Sequence, residues 1–257
     1  MKKFKKIFIF IILNIIYFSF VIFSPSNIYA NVGISYYDLE YDWWRNQTPE
    51  FRNLYEVFLN KISAKEDFIL GDGYFVRFRE NNDKLIIGSS AVVWCGTTMG
   101  DELDKYGFDV VGYGGIPDNK MREWIDRIDK KYDKIIYYST INTLEVCSYY
   151  NLNEINDSVF SAVATTIIDA ASKILENDGH LSYVKVKKLL YDENENKKEN
   201  IEFCKRFNKM ADELNAVMDM INVFKIDIKY PMTKEYSKGY VHYNNKEVWQ
   251  DLFLNVE

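Results

Sequence analysis

The chain of 257 residues is 47% hydrophobic, 27% charged and 16% aromatic with only four prolines, a composition that excludes disordered and fibrous classes. A chain of this length buries roughly three-quarters of the surface its unfolded form exposes, so it needs no disulfide or metal staple. The formal charge is −6; setting aside the four lysines of the first thirty residues leaves 28 basic against 38 acidic side chains, a charge of −10, which disfavours nonspecific binding to nucleic acid.

Lys2, Lys3, Lys5 and Lys6 precede an apolar run from Ile7 to Phe23, interrupted only by Asn14 and Ser19, and the segment ends at Pro25 to Ala30 with alanine last. That order predicts a secretory signal peptide over 1–30. The run is 17 residues long, at the short edge of what spans a hydrocarbon layer of roughly 30 Å, so membrane anchoring through residues 7–23 is the alternative. Both readings put the rest of the chain outside the cytoplasm, secreted or anchored. Cys95, Cys147 and Cys204 then meet an oxidising compartment; their spacing forms no metal-binding pair, and they read as buried small hydrophobes or as a Cys95–Cys147 bridge.

Residues 31–82 read as an N-terminal extension. Thr48, Pro49 and Glu50 give a cap, a first-turn proline and a first-turn acid before Leu54, Val57, Phe58 and Ile62 at helical spacing. Phe68 to Leu70 and Tyr74 to Phe78 flank Gly71, Asp72 and Gly73, which predicts a hairpin. Residues 83–257 then alternate short apolar runs with amphipathic ones. Strands are expected at Leu85–Ile87, Val110–Val111, Ile135–Tyr138, Leu181–Val186 and Val223–Ile228. Helices are expected through Met121, Ile125 and Ile128, through Val159 to Ile174, through Cys204 to Ile221, and at the end through Val248, Leu252 and Phe253. Asn177, Asp178 and Gly179 supply a helix stop, and Asp192 to Asn200 a solvated loop. Strands alternating with helices of this length imply right-handed crossovers and a parallel sheet covered on both faces.

In such open sheets the site lies beyond the carboxyl ends of the strands. Gly88, Ser89 and Ser90 follow the first of these strands and open a helix through Ala91 to Trp94; there a serine either meets the positive field of a helix N-terminus or serves as an ordinary cap. Gly112 to Gly115 follow the second, but a dinucleotide fingerprint would need glycine where Pro117 stands, so no cofactor is expected. Asn142 follows the third and either donates to an oxyanion or caps a loop. His242 falls in the loop after the last strand, on the same side of the sheet.

The order Ile-Gly-Ser-Ser at 87–90, Gly-Gly at 114–115, Thr-Ile-Asn-Thr-Leu at 140–144 and Val-His-Tyr at 241–243 resembles the four blocks of the SGNH/GDSL hydrolases from about Lys84 to the C-terminus. Phe207-Asn208 ahead of Phe224 to Asp227 adds to the likeness. The resemblance implies a flavodoxin-like three-layer α/β/α fold with a mostly parallel five-stranded sheet. It implies Ser90 as nucleophile, His242 as general base, and Gly115 and Asn142 as oxyanion donors. The sequence departs from the family pattern at Ser89, Thr140, Thr143 and Gly239, where aspartate, glycine, aspartate and aspartate are expected. Asp227, Glu235, Asp251 or a backbone carbonyl are the other candidates to orient the imidazole. The implied activity is ester hydrolysis or acyl transfer through a Ser-His dyad, on acylated carbohydrate such as O-acetyl groups of cell-wall or exported polysaccharide, or on another ester. The second reading is a catalytically degenerate surface module that binds glycan or a protein partner. Trp94, Tyr113, Tyr240 and Tyr243 are the aromatics expected at the mouth, for sugar stacking or for ordinary packing.

Overall fold

The computed structural model describes residues 47–71, 73–114, 120–139, 168, 170–175, 180–185, 198–220, 224–230, 237–238 and 242–255. The expected leader and the anchoring run at 7–23 lie outside them, as do Gly115, Asn142, Cys147, Glu235 and Tyr240. Among the described residues no helix is long and apolar enough to cross a membrane.

Helix α1 spans Pro49–Ala64, with the Thr48 hydroxyl accepting from the Phe51 amide at 3.2 Å and Lys65 closing the helix in the left-handed region. Its buried stripe is Tyr55, Phe58, Leu59 and Ile62, rotated by one position from the expected one. Leu54 is only half-buried and Val57 is exposed, because the aromatic Tyr55 covers the sheet at that level. The predicted hairpin forms from β1, Phe68–Leu70, and β2, Tyr74–Arg77.

The parallel strands follow: β3, Lys84–Gly88; β4, Phe108–Tyr113; β5, Lys134–Tyr138; β6, His180–Val184; and β7, Phe224–Ile226. Between them lie α2, Ser90–Met99, a 3₁₀ turn at Gly100–Tyr106, α3, Lys120–Arg127, a helical stretch at 170–175, and α4, Lys198–Met220. The chain ends with a two-stranded ribbon of β8, Ser237–Lys238, and β9, His242–Tyr243, and with α5, Lys246–Leu254.

The strands assemble in the order β1-β2-β4-β3-β5-β6-β7. Counted from β3, the five parallel strands run 2-1-3-4-5, the flavodoxin-like arrangement, with its switch point between β3 and β5. Among the described residues the sheet has seven strands rather than five because β2 pairs antiparallel with the edge strand β4, so the hairpin extends the sheet. The other differences are local. Lys198 to Asn200 belong to α4 rather than to the acidic loop, and His242 sits in β9 rather than in a bare loop.

Pleat alternation sends the two side-chain sets of each strand into two cores. Leu85, Ile87, Ile135, Tyr137, Leu181 and Tyr183 pack under α1, α3 and α4. Ile86, Val110, Ile136, Tyr138, Val184 and Ile226 pack under α2 and α5. Both faces are therefore covered, as continuous apolar runs in parallel strands require.

Candidate functional site

Two glycines set the height of α2 over the sheet. Gly88 ends β3 and pairs with Gly112 of β4 on one side and Tyr138 of β5 on the other. A Cβ on Gly88 would stand 2.2 Å from the Tyr138 carbonyl oxygen and 2.7 Å from Val92 Cγ2. A Cβ on Gly112 would stand 2.7 Å from the Val93 amide nitrogen. The first turn of α2 thus rests directly on backbone, and this is what carries Ser90 to the carboxyl edge of β3. Gly112 and its contact with α2 were not distinguishable in the sequence from a glycine in a tight turn.

Ser89 occupies the N-cap position with an extended backbone, and its carbonyl accepts from the amides of Val92 at 2.8 Å and Val93 at 3.2 Å. Its hydroxyl is fully buried and makes no hydrogen bond among the described residues, so the side-chain cap reading does not apply to Ser89. Ser90 is the first helical residue, buried, with its hydroxyl at the end of α2 where the helix dipole favours negative charge.

The imidazole arrives from the far end of the chain. Tyr243 of β9 is pinned twice: its hydroxyl donates to the Tyr230 carbonyl at 2.8 Å, and its own carbonyl accepts from Trp249 Nε1 at 3.2 Å. Alternation along β9 turns the preceding residue, His242, the other way, half-buried, so that its Nε2 lies 2.8 Å from Ser90 Oγ. That distance is a full hydrogen bond between side chains 152 residues apart in sequence. With the ring proton on Nδ1, Nε2 accepts from the serine hydroxyl, the direction a general base requires.

Around the pair, the groups under α2 are neutral. Burial pushes the Cys95 thiol and the Tyr138 hydroxyl well above their ordinary values, with Tyr243 adding to the Tyr138 effect. Burial, and secondarily the charge of Asp227, push Tyr243 up to about 12. Asp227 itself is exposed beside Lys185, at 3.7 Å, and Asp251 lies in α5. Cys95 is a buried free thiol; Cys147, its partner in the alternative bridge, lies outside the described residues.

Two of the aromatics expected at the mouth belong to the core instead. Tyr113 is buried among Tyr55, Phe58, Tyr74 and Trp124, because it closes the β4 end beneath α1. Tyr243 is buried against Trp249. Trp94 does border the pair: its ring stacks on His242 at 5.9 Å between centroids and 27° between planes. Its four-residue spacing from Ser90 was the one signal in the sequence that could have placed both on one helix face. In the loop after β4, the Gly114 amide donates to the Gly73 carbonyl at 2.7 Å, which ties that loop to the hairpin just before Gly115.

No protein-family model matches the chain, and no curated protein matches it in sequence. Its fold is nevertheless shared with solved structures. A GDSL-like lipase from Bacteroides thetaiotaomicron VPI-5482 matches with a TM-score of 0.53 at 13% identity, over 78% of this chain and 95% of its own. A structure described as an acylhydrolase from Bacteroides fragilis NCTC 9343 matches with a TM-score of 0.51 at 13% identity, over 68% and 86%. The chain has the SGNH/GDSL hydrolase fold.

Proposed function

We propose that this protein is an exported serine ester hydrolase. The observation that carries the reading is the 2.8 Å contact between His242 Nε2 and Ser90 Oγ at the first turn of a helix lowered onto the switch-point edge of the sheet. In the reaction, His242 takes the Ser90 proton as Oγ attacks the ester carbonyl; the protonated ring then gives that proton to the departing alcohol. An acyl-serine remains. Water, or a sugar hydroxyl in a transfer reaction, attacks it with His242 again accepting the proton, and the acyl–Oγ bond breaks as the ring returns that proton to Ser90. The resemblance assigns the oxyanion to the Gly115 amide and Asn142 Nδ2, and the α2 N-terminus adds a favourable field.

The tripartite leader supports action outside the cytoplasm, and small acyl esters of exported polysaccharide are the substrate class it makes available. Incubation with a serine-reactive fluorophosphonate and a short aryl acetate tests the reading. Wild type is expected to label and turn over, and Ser90→Ala to do neither. His242→Ala should lose turnover by about a thousandfold or more, the scale on which triad members act. Equal labelling and turnover in all three refute it. Gly239, standing where the family pattern has its acid, supports the second reading, a glycan- or protein-binding module of the same fold; an unreactive wild type that retains polysaccharide on an affinity column would establish it.

A further inference from the structure

We propose that Trp94 is a positioning residue that holds the His242 imidazole over Ser90 and faces the charge the ring carries during turnover. The proposal rests on the hydrolase reading for its kinetic part and on geometry alone for its structural part.

An imidazole that acts as base needs two things besides a nearby hydroxyl. Its ring must be prevented from rotating away, and the positive charge it acquires must be stabilised. Helix α2 supplies a group for both. Ser90 and Trp94 are one helical turn apart, so they project from the same side of α2. The indole lies against the His242 ring at 5.9 Å and 27° while Nε2 bonds to Ser90 Oγ at 2.8 Å. A ring held by a hydrogen bond at one edge and flanked by a near-parallel aromatic ring is restrained from rotating away. That flat face is also the negative end of the indole quadrupole, which attracts a cation within about 6 Å.

Ordinary core packing does not explain this placement. Trp124 and Trp249 are fully buried in the two cores, and Ala91, Val92, Val93, Cys95 and Met99 face inward from α2 itself. Trp94 is only half-buried and turns away from that set. The same helix turn thus presents the nucleophile and a plate that fixes the base.

Only two histidines occur in the chain, so histidine-selective isotope labelling gives a spectrum in which His242 is identified by its loss in His242→Ala. In wild type, the His242 ring protons are expected upfield of ordinary imidazole protons through the indole ring current. Trp94→Leu, which keeps bulk but removes the aromatic face, should return them toward the ordinary position. The same variant should lower kcat for an aryl acetate about 5- to 30-fold with KM within about twofold, the scale of a partly desolvated cation–π contact. Trp94→Phe should recover most of that loss, and it serves as the folded comparison if the leucine variant is unstable.

Unmoved His242 resonances together with an unmoved kcat in Trp94→Leu would overturn the proposal. A raised KM with unchanged kcat would also overturn it, since the indole would then be touching substrate. A wild type that neither labels nor turns over, with the His242 resonances still displaced by Trp94→Leu, would sink the hydrolase reading and leave the stacking in place.

Discussion

Replacing Gly88 by alanine adds one methyl group at the place where α2, β3 and β5 meet. The new Cβ would lie 2.2 Å from the Tyr138 carbonyl oxygen and 2.7 Å from Val92 Cγ2. An ordinary contact begins near 3.4 Å, so about 1 Å of movement is needed, and the carbonyl belongs to backbone paired with Gly88 itself. The valine can give by rotating; the strand cannot give without stretching its ladder. Gly88 does not have a left-handed backbone, so the cost is steric rather than conformational. Overpacking of this kind costs about 1–3 kcal/mol, and loss of a ladder hydrogen bond adds about 1 kcal/mol. A total near 3 kcal/mol lowers the thermal midpoint by about 6–12 °C for a protein of this size. The displacement falls on Ser90, two residues on. On the proposed role of Ser90 as nucleophile, a shift of about 1 Å at the reacting atom costs about a hundredfold in rate, so fluorophosphonate labelling should slow by that factor even in the folded variant. Gly71→Ala is the control: its φ is +51° but nothing lies within 4 Å of a new Cβ, so it should cost about 1 kcal/mol and leave labelling alone. Urea unfolding and labelling kinetics measure both quantities. A Gly88→Ala protein within 0.5 kcal/mol of wild type (about the spread of neutral surface changes) and labelling at the wild-type rate would refute the claim that this glycine sets the height of the helix.

Four further outcomes are expected. Ser89→Ala should raise stability by about 1 kcal/mol in urea unfolding, since it removes a buried hydroxyl that makes no hydrogen bond among the described residues; a loss of that size would contradict it. Asp109→Asn should cost about 3 kcal/mol, because the buried carboxylate accepts from Lys130 Nζ at 2.8 Å and Tyr132 at 2.7 Å, and the lysine would lose its counter-charge; calorimetry checks it. Stability should fall as pH rises above 10, the ordinary tyrosine value, through about 12, the value to which Tyr243 is raised, because the unfolded phenol ionises first and the folded one stays protonated. Tyr55, Tyr132 and Tyr138 are raised in the same direction by burial and add to the slope, read as tyrosinate absorbance rising together with unfolding. Cys95 should stay unmodified by thiol reagents in the native protein, with peptide mapping as readout, because burial pushes its thiol up and closes access.

The parallel strands were legible because their apolar runs are short, bounded and regularly spaced with helices between them. The α1 cap was legible because Thr48, Pro49 and Glu50 each satisfy a different requirement of a helix start. The hairpin was legible as a hairpin but not as part of the sheet: pairing of β2 with β4 is a long-range choice, and nothing within Tyr74 to Arg77 names its partner. Ser90 and His242 were legible as individuals from their positions after strands. Their meeting depends on β9, two residues long and held by Tyr230 and Trp249, contacts without local periodicity. Tyr113 was misplaced for a related reason. A tyrosine at a strand's carboxyl end points to either face of the sheet by parity, and here parity sends it toward α1.

The two ends of β4 show why the proposed site lies at one of them. At the amino end, Asp109 is fully buried and accepts from the Arg79 amide, Asn82 Nδ2, Lys130 Nζ and the Tyr132 hydroxyl. A carboxylate so fully bonded joins the turn after β2 to the segment before β5, and its acceptor positions are already occupied. At the carboxyl end, about 10 Å along the strand, Gly112 offers no side chain at all, and the space goes to the first turn of α2. The end rich in charge is spent on holding strands together. The other end, without a side chain on the face that α2 covers, admits a helix terminus, a hydroxyl and an imidazole. Acyl chemistry needs that combination, because a serine oxygen becomes a useful nucleophile only where a base touches it and a carbonyl can approach from the open side. The same logic assigns different consequences to damage at each end: Asp109→Asn should lower stability with labelling intact, whereas Gly112→Ala, whose Cβ would meet the Val93 amide nitrogen at 2.7 Å, should slow labelling in protein that remains folded.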